Sequence, residues 1–411
     1  MSCGLSNRVQ RQCLPNAALA VAIILLVGCS SKNSITNLEP IKTGGGYQTE
    51  YREKANSKDF KITPVSVLAD QSKCAPQSAV SKSADTLQDE ERLSPGDLID
   101  IVIGNDETLS GKYEISVDGK IKVRGLASVE AFGRDVKNVE QQITGALVAA
   151  KYYNIAPPVS VRLSDYGVAR VFVSGAVFES GSVTLGGSAA SINNDSTREQ
   201  AIGAYTDSRR LSRAIQHAGG IRPDADLSRI VLKRGNVRKM VDLRSAINGG
   251  AFTDDLLIAG DQIEVPSRGC FQSELVKPSE ISPVGVKVFM SNLTEPSTSN
   301  ANSAINKDTR EMQYGTRFLQ TIISMNCVGG SKLTNASRSA VLFSRNPMTG
   351  KSVVIERNIE ELLRHADRDE YDPYILPNDS LACYDSGATD IFKVAQGFGI
   401  VASSIIMGRG L

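Results

Sequence analysis

The stretch LSPGDLIDIVI, residues 93–103, places a tight turn directly before an apolar run. Pro95, Gly96 and Asp97 are typical turn residues, because proline presets its own φ and glycine tolerates positive φ. Residues 98–103 are rich in isoleucine and valine and predict a buried strand. A folded domain is therefore expected to begin near residue 90.

The residues after this strand predict more β-structure and one helix. Asp118-Gly119 lies between two alternating runs, 113–117 and 120–123, which predicts a hairpin. Residues 134–150 show helical spacing and are expected to pack on the sheet, and residues 159–163 alternate as a further strand. The predicted apolar stripe of the helix comprises Val136, Val139, Ile143 and Leu147.

This order of elements resembles the polysaccharide-export domain of the outer-membrane polysaccharide export family, the translocons for capsule and exopolysaccharide. Besides Pro95-Gly96-Asp97, three sequence groups carry the resemblance: Glu107-Thr108-Leu109, Asp118-Gly119 with Ile121, and Pro158-Val159-Ser160-Val161. Arg124-Gly125 stands where family members usually carry proline. The resemblance implies that residues 90–167 form this domain.

The N-terminus carries a targeting signal. Arg8 and Arg11 precede an apolar run, 17–27, which is too short for a stable membrane span. The run ends in Leu26-Val27-Gly28-Cys29, which resembles a lipobox. This implies removal of residues 1–28, palmitate-type lipidation at Cys29 and sorting to the outer membrane, with an uncleaved helix or a non-lipidated signal peptide as the alternatives. Residues 29–89 are polar and predict a tether.

Four cysteines remain for the folded part of the chain: Cys74, Cys270, Cys327 and Cys383. In an oxidising compartment an even number favours disulfides, but four cysteines allow three pairings. We favour Cys327 with Cys383, because both fall in one predicted domain. Buried free thiols are the alternative.

The rest of the chain contains an internal repeat of roughly 110 residues. Each copy begins with a strand, at 171–175 or 288–292, and continues with a Ser/Asn-rich insertion and a Thr-Arg-Glu sequence, at 197–199 or 309–311. A helix, a strand pair and a final turn with a strand follow in both copies.

The repeated unit resembles the soluble-ligand-binding β-grasp (SLBB) domain, and Ser174-Gly175-Ala176-Val177 with Ser180-Gly181 carries the resemblance. The second copy lacks the matching glycine at Asn292 and the valine at Thr294. The resemblance implies two tandem β-grasp domains, at 168–268 and 285–386. The expected fold class is thus α+β: an export domain, two β-grasp domains and a C-terminal amphipathic membrane-spanning helix.

The predicted spanning helix occupies residues 389–411. From 390 to 407 it would be about 27 Å long, enough for a thin outer membrane. One face is apolar and predicted to contact lipid, and the other is predicted to line a pore. The lipid-facing residues are Ile391, Val394, Phe398, Ala402 and Ile405, and the pore-facing residues are Lys393, Gln396, Ser403 and Ser404. An amphipathic helix packed on a soluble core is the alternative.

Composition argues against other function classes. Lys and Arg total 46 against 45 Asp and Glu, so no overall positive field would attract nucleic acid. The two histidines, His217 and His365, have no neighbouring metal-ligand or triad pattern. We therefore expect no enzyme, no catalytic residue, no metal and no cofactor. An acidic pair, Asp254-Asp255, is expected to face solvent in a turn.

The predicted protein is an outer-membrane lipoprotein that lies mostly in the periplasm and exports capsular or exopolysaccharide. The resemblance implies a homo-oligomeric ring of eight subunits, contact with outer-membrane lipid, and an inner-membrane polysaccharide co-polymerase, often with a tyrosine kinase. Two rivals remain: a lipid-anchored periplasmic glycan-binding module without a pore, and a cell-wall hydrolase or lyase.

Overall fold

The computed structural model describes residues 74, 91–104, 106–186, 207–292, 310–325, 327–328, 338–350, 352–364 and 372–384. They form a mixed fold of small sheets and short helices, divided here into an N-terminal unit (91–168), a first repeat unit (169–268) and a second repeat unit (286–384). The predicted signal peptide, the predicted tether except Cys74, and the predicted C-terminal helix all fall outside the described residues. Among the helices described, none is both long and apolar enough to cross a bilayer.

The N-terminal unit is a three-stranded antiparallel sheet covered by one helix. Its strands are β1 (Leu98–Ile103), β2 (Asp106–Glu114) and β5 (Val159–Asp165), in the order β2-β1-β5. Strands β3 (Lys120–Ile121) and β4 (Val129–Glu130) form a separate two-stranded ribbon. The apolar sides of these strands meet the helix in one core.

Helix α1 (Val136–Ala149) confirms the helical periodicity of the sequence. The Asp135 carboxylate caps it by accepting a hydrogen bond from the Asn138 backbone N–H at 2.7 Å, which satisfies one of the free donors of the first turn. Val139, Ile143 and Leu147 are fully buried against the sheet. Burial of one such side chain contributes about 1.5–3 kcal/mol, so this stripe fixes the helix on the sheet.

The predicted hairpin around Asp118-Gly119 is only partly right. The turn forms, with Gly119 at φ 78° and its N–H bonded to Ser116 O at 2.8 Å. The flanking runs do not form a ladder with each other, because β2 pairs with β1 and β3 pairs with β4. The competing partner is the turn at residue 97: Ile115 N–H donates to Asp97 O at 2.9 Å.

The first repeat unit contains a five-stranded mixed sheet in the order β7-β6-β10-β8-β9. The strands are β6 (Ala169–Gly175), β7 (Gly181–Leu185), β8 (Ile230–Arg234), β9 (Val237–Val241) and β10 (Gln262–Val265). Strands β6 and β10 are parallel, and the other pairs are antiparallel. Helix α2 (Leu211–His217), with His217 in its last turn, and the short α3 (Arg244–Ile247) accompany the sheet.

The second repeat unit has the same strand order, β12-β11-β15-β13-β14. Its strands are β11 (Val286–Asn292), β12 (Arg310–Met312), β13 (Ser339–Arg345), β14 (Ser352–Asn358) and β15 (Ser380–Tyr384). Again one pair, β11 with β15, is parallel. Helices α4 (Phe318–Ser324) and α5 (Ile359–Arg364) complete it. The two sheets therefore share one topology.

The Thr-Arg-Glu correspondence between the copies does not extend to the edge strands. In the second unit, Arg310 and Glu311 lie in edge strand β12. In the first unit the edge strand is β7, and residues 197–199 come after it, outside the described residues. The long polar insertion thus precedes the edge strand in one copy and follows it in the other.

Candidate functional site

The Asp97 carboxylate organises the turn that opens the N-terminal unit. Its Oδ2 accepts the Ser94 N–H at 2.8 Å, and its Oδ1 accepts the Gly167 N–H at 2.8 Å. Gly96 has φ 87°, a backbone conformation that favours glycine. The predicted Pro95-Gly96-Asp97 turn is thus confirmed, and its aspartate is buried.

Arg209 of the first repeat unit completes this site. Its Nη1 lies 2.6 Å from Asp97 Oδ1, and both side chains are 0% exposed. Nε and Nη2 donate to Leu257 O at 3.1 and 2.9 Å, and the guanidinium carbon lies 5.2 Å from the centre of the Tyr166 ring. We name Asp97 and Arg209 the Asp97–Arg209 clamp, because together they join the N-terminal unit to the first repeat unit.

The backbones of the two units approach closely beside the clamp. A Cβ added to Gly186 of the first repeat unit would lie only 2.7 Å from the Gly167 carbonyl oxygen of the N-terminal unit, and Gly186 also has φ 79°, which favours glycine. The Ala259 N–H donates to Ser94 Oγ at 3.1 Å across the same junction. A buried ion pair and a backbone contact therefore fix the relative position of the two units.

The same Asp-bearing turn occurs once in each unit. In each, the aspartate accepts a hydrogen bond from the N–H three residues before it, at 2.8 to 2.9 Å, and a strand follows. In each, the residue before the aspartate has positive φ. The three turns are Ser94 to Asp97, Ile258 to Asp261, and Leu376 to Asp379. They are structural equivalents at the start of the N-terminal unit and at the end of each repeat unit.

The partners of the three carboxylates differ. Arg234 makes two hydrogen bonds to Asp261, at 2.9 and 2.7 Å. By strand register the equivalent of Arg234 in the second unit is Ser344, because Lys233 faces Gln262 as Phe343 faces Ser380. Full burial raises the pKa of Asp379 from 3.8 to about 7, although hydrogen bonds from the Leu376 N–H and Ser344 partly oppose this.

We expect the second repeat unit to lose stability as pH rises from about 4 to 7. Folded Asp379 holds its proton up to a pKa of about 7, whereas the unfolded residue releases it near 3.8. The folded state therefore binds more protons in this window, and the free energy of unfolding falls with increasing pH. Urea unfolding followed by hydrogen exchange in β15 measures this slope. Asp379→Asn should abolish it, and a slope unchanged in that variant would contradict the assignment.

Aromatic rings pack at the junction between the repeat units, and a disulfide bonds the linker between these units to the segment that precedes the N-terminal unit. A disulfide joins Cys74 to Cys270, with the Cα atoms 5.0 Å apart. The Phe271 and Tyr374 rings stack with centres 6.2 Å apart, and Phe178 meets Tyr314 edge-on at 6.3 Å. Residues on both sides of the junction thus pack together, and the end of the tether is bonded to the linker between the units.

Tyr314 is buried at this junction with its hydroxyl unpaired among the described residues. Burial raises the pKa of this phenol, so it remains neutral. An unsatisfied buried hydroxyl costs about 1–3 kcal/mol. We therefore expect Tyr314→Phe to leave the thermal unfolding midpoint unchanged or to raise it, and Tyr314→Ala to lower it through loss of ring packing. A lower midpoint for the Phe variant would reveal a partner for the hydroxyl.

The other predicted site residues fall in different places. Cys327 and Cys383 are joined by a disulfide inside the second unit, with the Cα atoms 6.2 Å apart. Cys29 and all pore-facing and lipid-facing residues of the C-terminal helix lie outside the described residues. Their lipidation, pore-facing and lipid-facing roles therefore stay predictions.

The expected solvent exposure of Asp254-Asp255 is wrong. The Asp254 carboxylate accepts hydrogen bonds from the Ser212 N–H at 2.9 Å and from its hydroxyl at 2.7 Å. It thereby satisfies a donor of the first turn of α2. Asp255 lies 2.7 Å from Lys239 Nζ with little exposure. Asp372 caps α4 in the same way through the Leu319 N–H at 2.8 Å, so a capping aspartate at this position is a structural feature that both repeat units share.

Arg209 was missed from sequence because it lies 112 residues from Asp97. A surface feature was missed as well: an open cleft of about 410 Å³ at the start of α1, lined by Glu91, Asp135, Val136, Lys137, Asn138 and Gln141. In the part of the chain that the structure describes, no group of three or more His, Cys, Asp or Glu side chains is arranged to hold a metal.

Comparison with known proteins addresses the N-terminal unit. No curated protein matches the chain. Residues 85–164 match the family model described as "Polysaccharide biosynthesis/export protein". The matched segment contains the Asp97 turn, α1 and most of β5, and it coincides with the domain for which the resemblance was seen in the sequence, which is thereby confirmed. Over this segment, the chain is therefore similar to the proteins of polysaccharide biosynthesis and export.

Proposed function

We propose that the protein is an outer-membrane lipoprotein whose copies form an oligomeric channel for capsular or exopolysaccharide. The observation that carries the proposal is the match of residues 85–164 to the family model of polysaccharide biosynthesis and export proteins. The structure supports it by showing that this domain is an independently packed unit with its own core.

The two repeat units fit the β-grasp domains expected behind an export domain. Both combine a five-stranded mixed sheet with a helix that begins after a polar insertion. Repeated domains of one topology stack readily into elongated assemblies. The Asp97–Arg209 clamp and the aromatic junction would keep the three units in register within each subunit, as a ring of identical subunits requires.

Membrane attachment in this proposal comes from the two ends of the chain. Lipidated Cys29 would hold each subunit to the outer membrane, and residues 389–411 would cross it as one helix in a ring of helices. Backbone hydrogen bonds are satisfied within each helix, so such a ring needs no sheet to close it. Ile391, Val394, Phe398, Ala402 and Ile405 would face lipid, whereas Lys393, Gln396, Ser403 and Ser404 would line a wet pore.

Transport through such a pore needs no chemistry from the chain itself. Passage of a hydrated polymer requires a wide lumen, wetting and weak repeated contacts. The energy would come from polymer synthesis and from an inner-membrane co-polymerase, often with a tyrosine kinase, that contacts the periplasmic end of the ring. The proposal therefore assigns no catalytic residue and no cofactor.

The proposal is tested by deleting residues 389–411 from the chromosomal copy. We expect surface polysaccharide to disappear while the lipidated protein remains in the outer membrane. A matched control carries Lys393→Gln, Gln396→Ser, Ser403→Thr and Ser404→Thr, which keeps the pore-facing side polar and should preserve export. Undiminished export by the deletion variant would overturn the channel and favour an anchored glycan-binding module.

A further inference from the structure

The outer face of the first repeat unit's sheet carries a continuous row of five side chains, of which four are exposed and Lys233 is half-buried. Strand register aligns one residue from each of five neighbouring strands, and each pair of neighbours is directly cross-strand. We name this set the outer row: Ser182, Phe172, Gln262, Lys233 and Arg238. With strands about 4.8 Å apart, the row is about 19 Å long.

Two cations sit side by side at one end of the outer row. Lys233 and Arg238 are a directly opposed pair of β8 and β9. Neither side chain has a hydrogen-bond or ion-pair partner among the described residues. Like charges directly opposite one another on a sheet repel and lower its stability. An anionic ligand bound between Lys233 and Arg238 would remove this repulsion.

The rest of the face suits a sugar polymer. Phe172 is 47% exposed in mid-row and presents a flat apolar surface, and aromatic rings of this kind provide large rigid contact area. Gln262 beside it supplies an amide that both donates and accepts. Arg170 adds a third cation on the same face, and Glu264 is its one exposed carboxylate among the described residues. The face therefore has a net positive charge.

The second repeat unit provides an internal comparison. By strand register the corresponding row there is Phe289, Ser380, Phe343 and Val354, of which Val354 is buried. Phenylalanine is kept at the position of Phe172, but Phe343 and Val354 replace the two cations and Ser380 replaces the glutamine. The shared topology thus does not require the cation pair, since the same sheet is built without it.

We infer that the outer row of the first repeat unit binds an acidic polysaccharide, with Lys233 and Arg238 pairing with its carboxylates and Phe172 packing against a sugar ring. The inference rests on the proposed function and narrows it, because it names anionic polymers as the class of cargo. The second repeat unit would contact the same polysaccharide without a cation pair to recognise its charge.

The test measures binding of the full-length, detergent-purified protein to polygalacturonate and to neutral dextran of matched length. We expect binding to polygalacturonate alone, weakened in about 1 M salt, where the Debye length falls to about 3 Å. The double variant Lys233→Gln, Arg238→Gln should bind at least about tenfold more weakly, equivalent to about 1.4 kcal/mol. Phe172→Ala should weaken binding as well.

The control variant removes the same charge elsewhere: Lys112→Gln with Arg162→Gln, both exposed on the sheet of the N-terminal unit. Its affinity should stay within about twofold of the parent protein. Equal losses in the two double variants, or equal binding of dextran, would overturn the inference. So would binding of phosphatidylglycerol vesicles in place of polygalacturonate, which would make the face a lipid contact.

The two hypotheses fail separately. If the parent protein does not bind polygalacturonate but export still depends on residues 389–411, the inference is refuted and the channel proposal stands. If the protein binds polygalacturonate through the outer row but export continues after deletion of residues 389–411, the channel proposal is refuted and the binding face stands.

Discussion

Arg209→Met is expected to destabilise the junction of the N-terminal and first repeat units by about 3–5 kcal/mol, because it leaves the Asp97 carboxylate buried without its cation. Asp97 and Arg209 are both fully buried, and their 2.6 Å contact crosses two units. Urea unfolding, followed by hydrogen exchange at the Ser94 and Gly167 amides that Asp97 holds, measures the loss.

Two comparisons separate this effect from general damage. The neighbouring Arg210 is partly exposed and donates to Asp254 O at 3.0 Å, so Arg210→Met should cost about 1 kcal/mol or less. Combining Arg209→Met with Asp97→Asn removes the uncompensated charge and should recover part of the stability. Equal losses for Arg209→Met and Arg210→Met would show that the clamp does not fix the junction.

Removal of the Cys327–Cys383 disulfide by paired alanine substitutions is expected to destabilise the second repeat unit by about 4 kcal/mol. The bond closes a loop with a sequence separation of 56 and connects the end of α4 to β15. Its main effect is to limit the conformations of the unfolded chain. Hydrogen exchange of the β13 and β15 amides, measured during urea unfolding, gives the change in the unfolding midpoint of this unit.

The other disulfide is the matched control. Alanine at Cys74 and Cys270 should leave exchange in β13 and β15 near that of the parent protein, because that bond lies outside the sheet of the second unit. Similar destabilisation of β15 by both pairs of substitutions would mean that the second unit depends on the tether for its stability.

Local patterns in the sequence predicted much of the N-terminal unit. The turn at Pro95-Gly96-Asp97, the helix and its buried stripe are each specified within a few residues, by φ preferences, an N-cap and apolar spacing. The pairing of residues 113–117 was wrong because the Asp-Gly signal is local. In the structure the Ile115 N–H instead donates to the Asp97 carbonyl oxygen, which belongs to a different turn.

The candidate site depended on long-range contacts that a single sequence does not display. Arg209 follows a polar insertion, and no spacing rule links it to Asp97. Asp254-Asp255 resembled a solvent-exposed turn because its partner, the first turn of α2, lies about forty residues earlier. The outer row is likewise visible only after strand register places Lys233 beside Arg238 and Gln262.

The proposed channel requires identical copies of this chain to assemble around a pore lined by their C-terminal helices. This assembly can be examined by electron microscopy of the full-length protein extracted in detergent. We expect closed rings with a bundle of helices at one end that encloses a water-filled lumen. Single subunits whose residues 389–411 fold against their own globular body would contradict it.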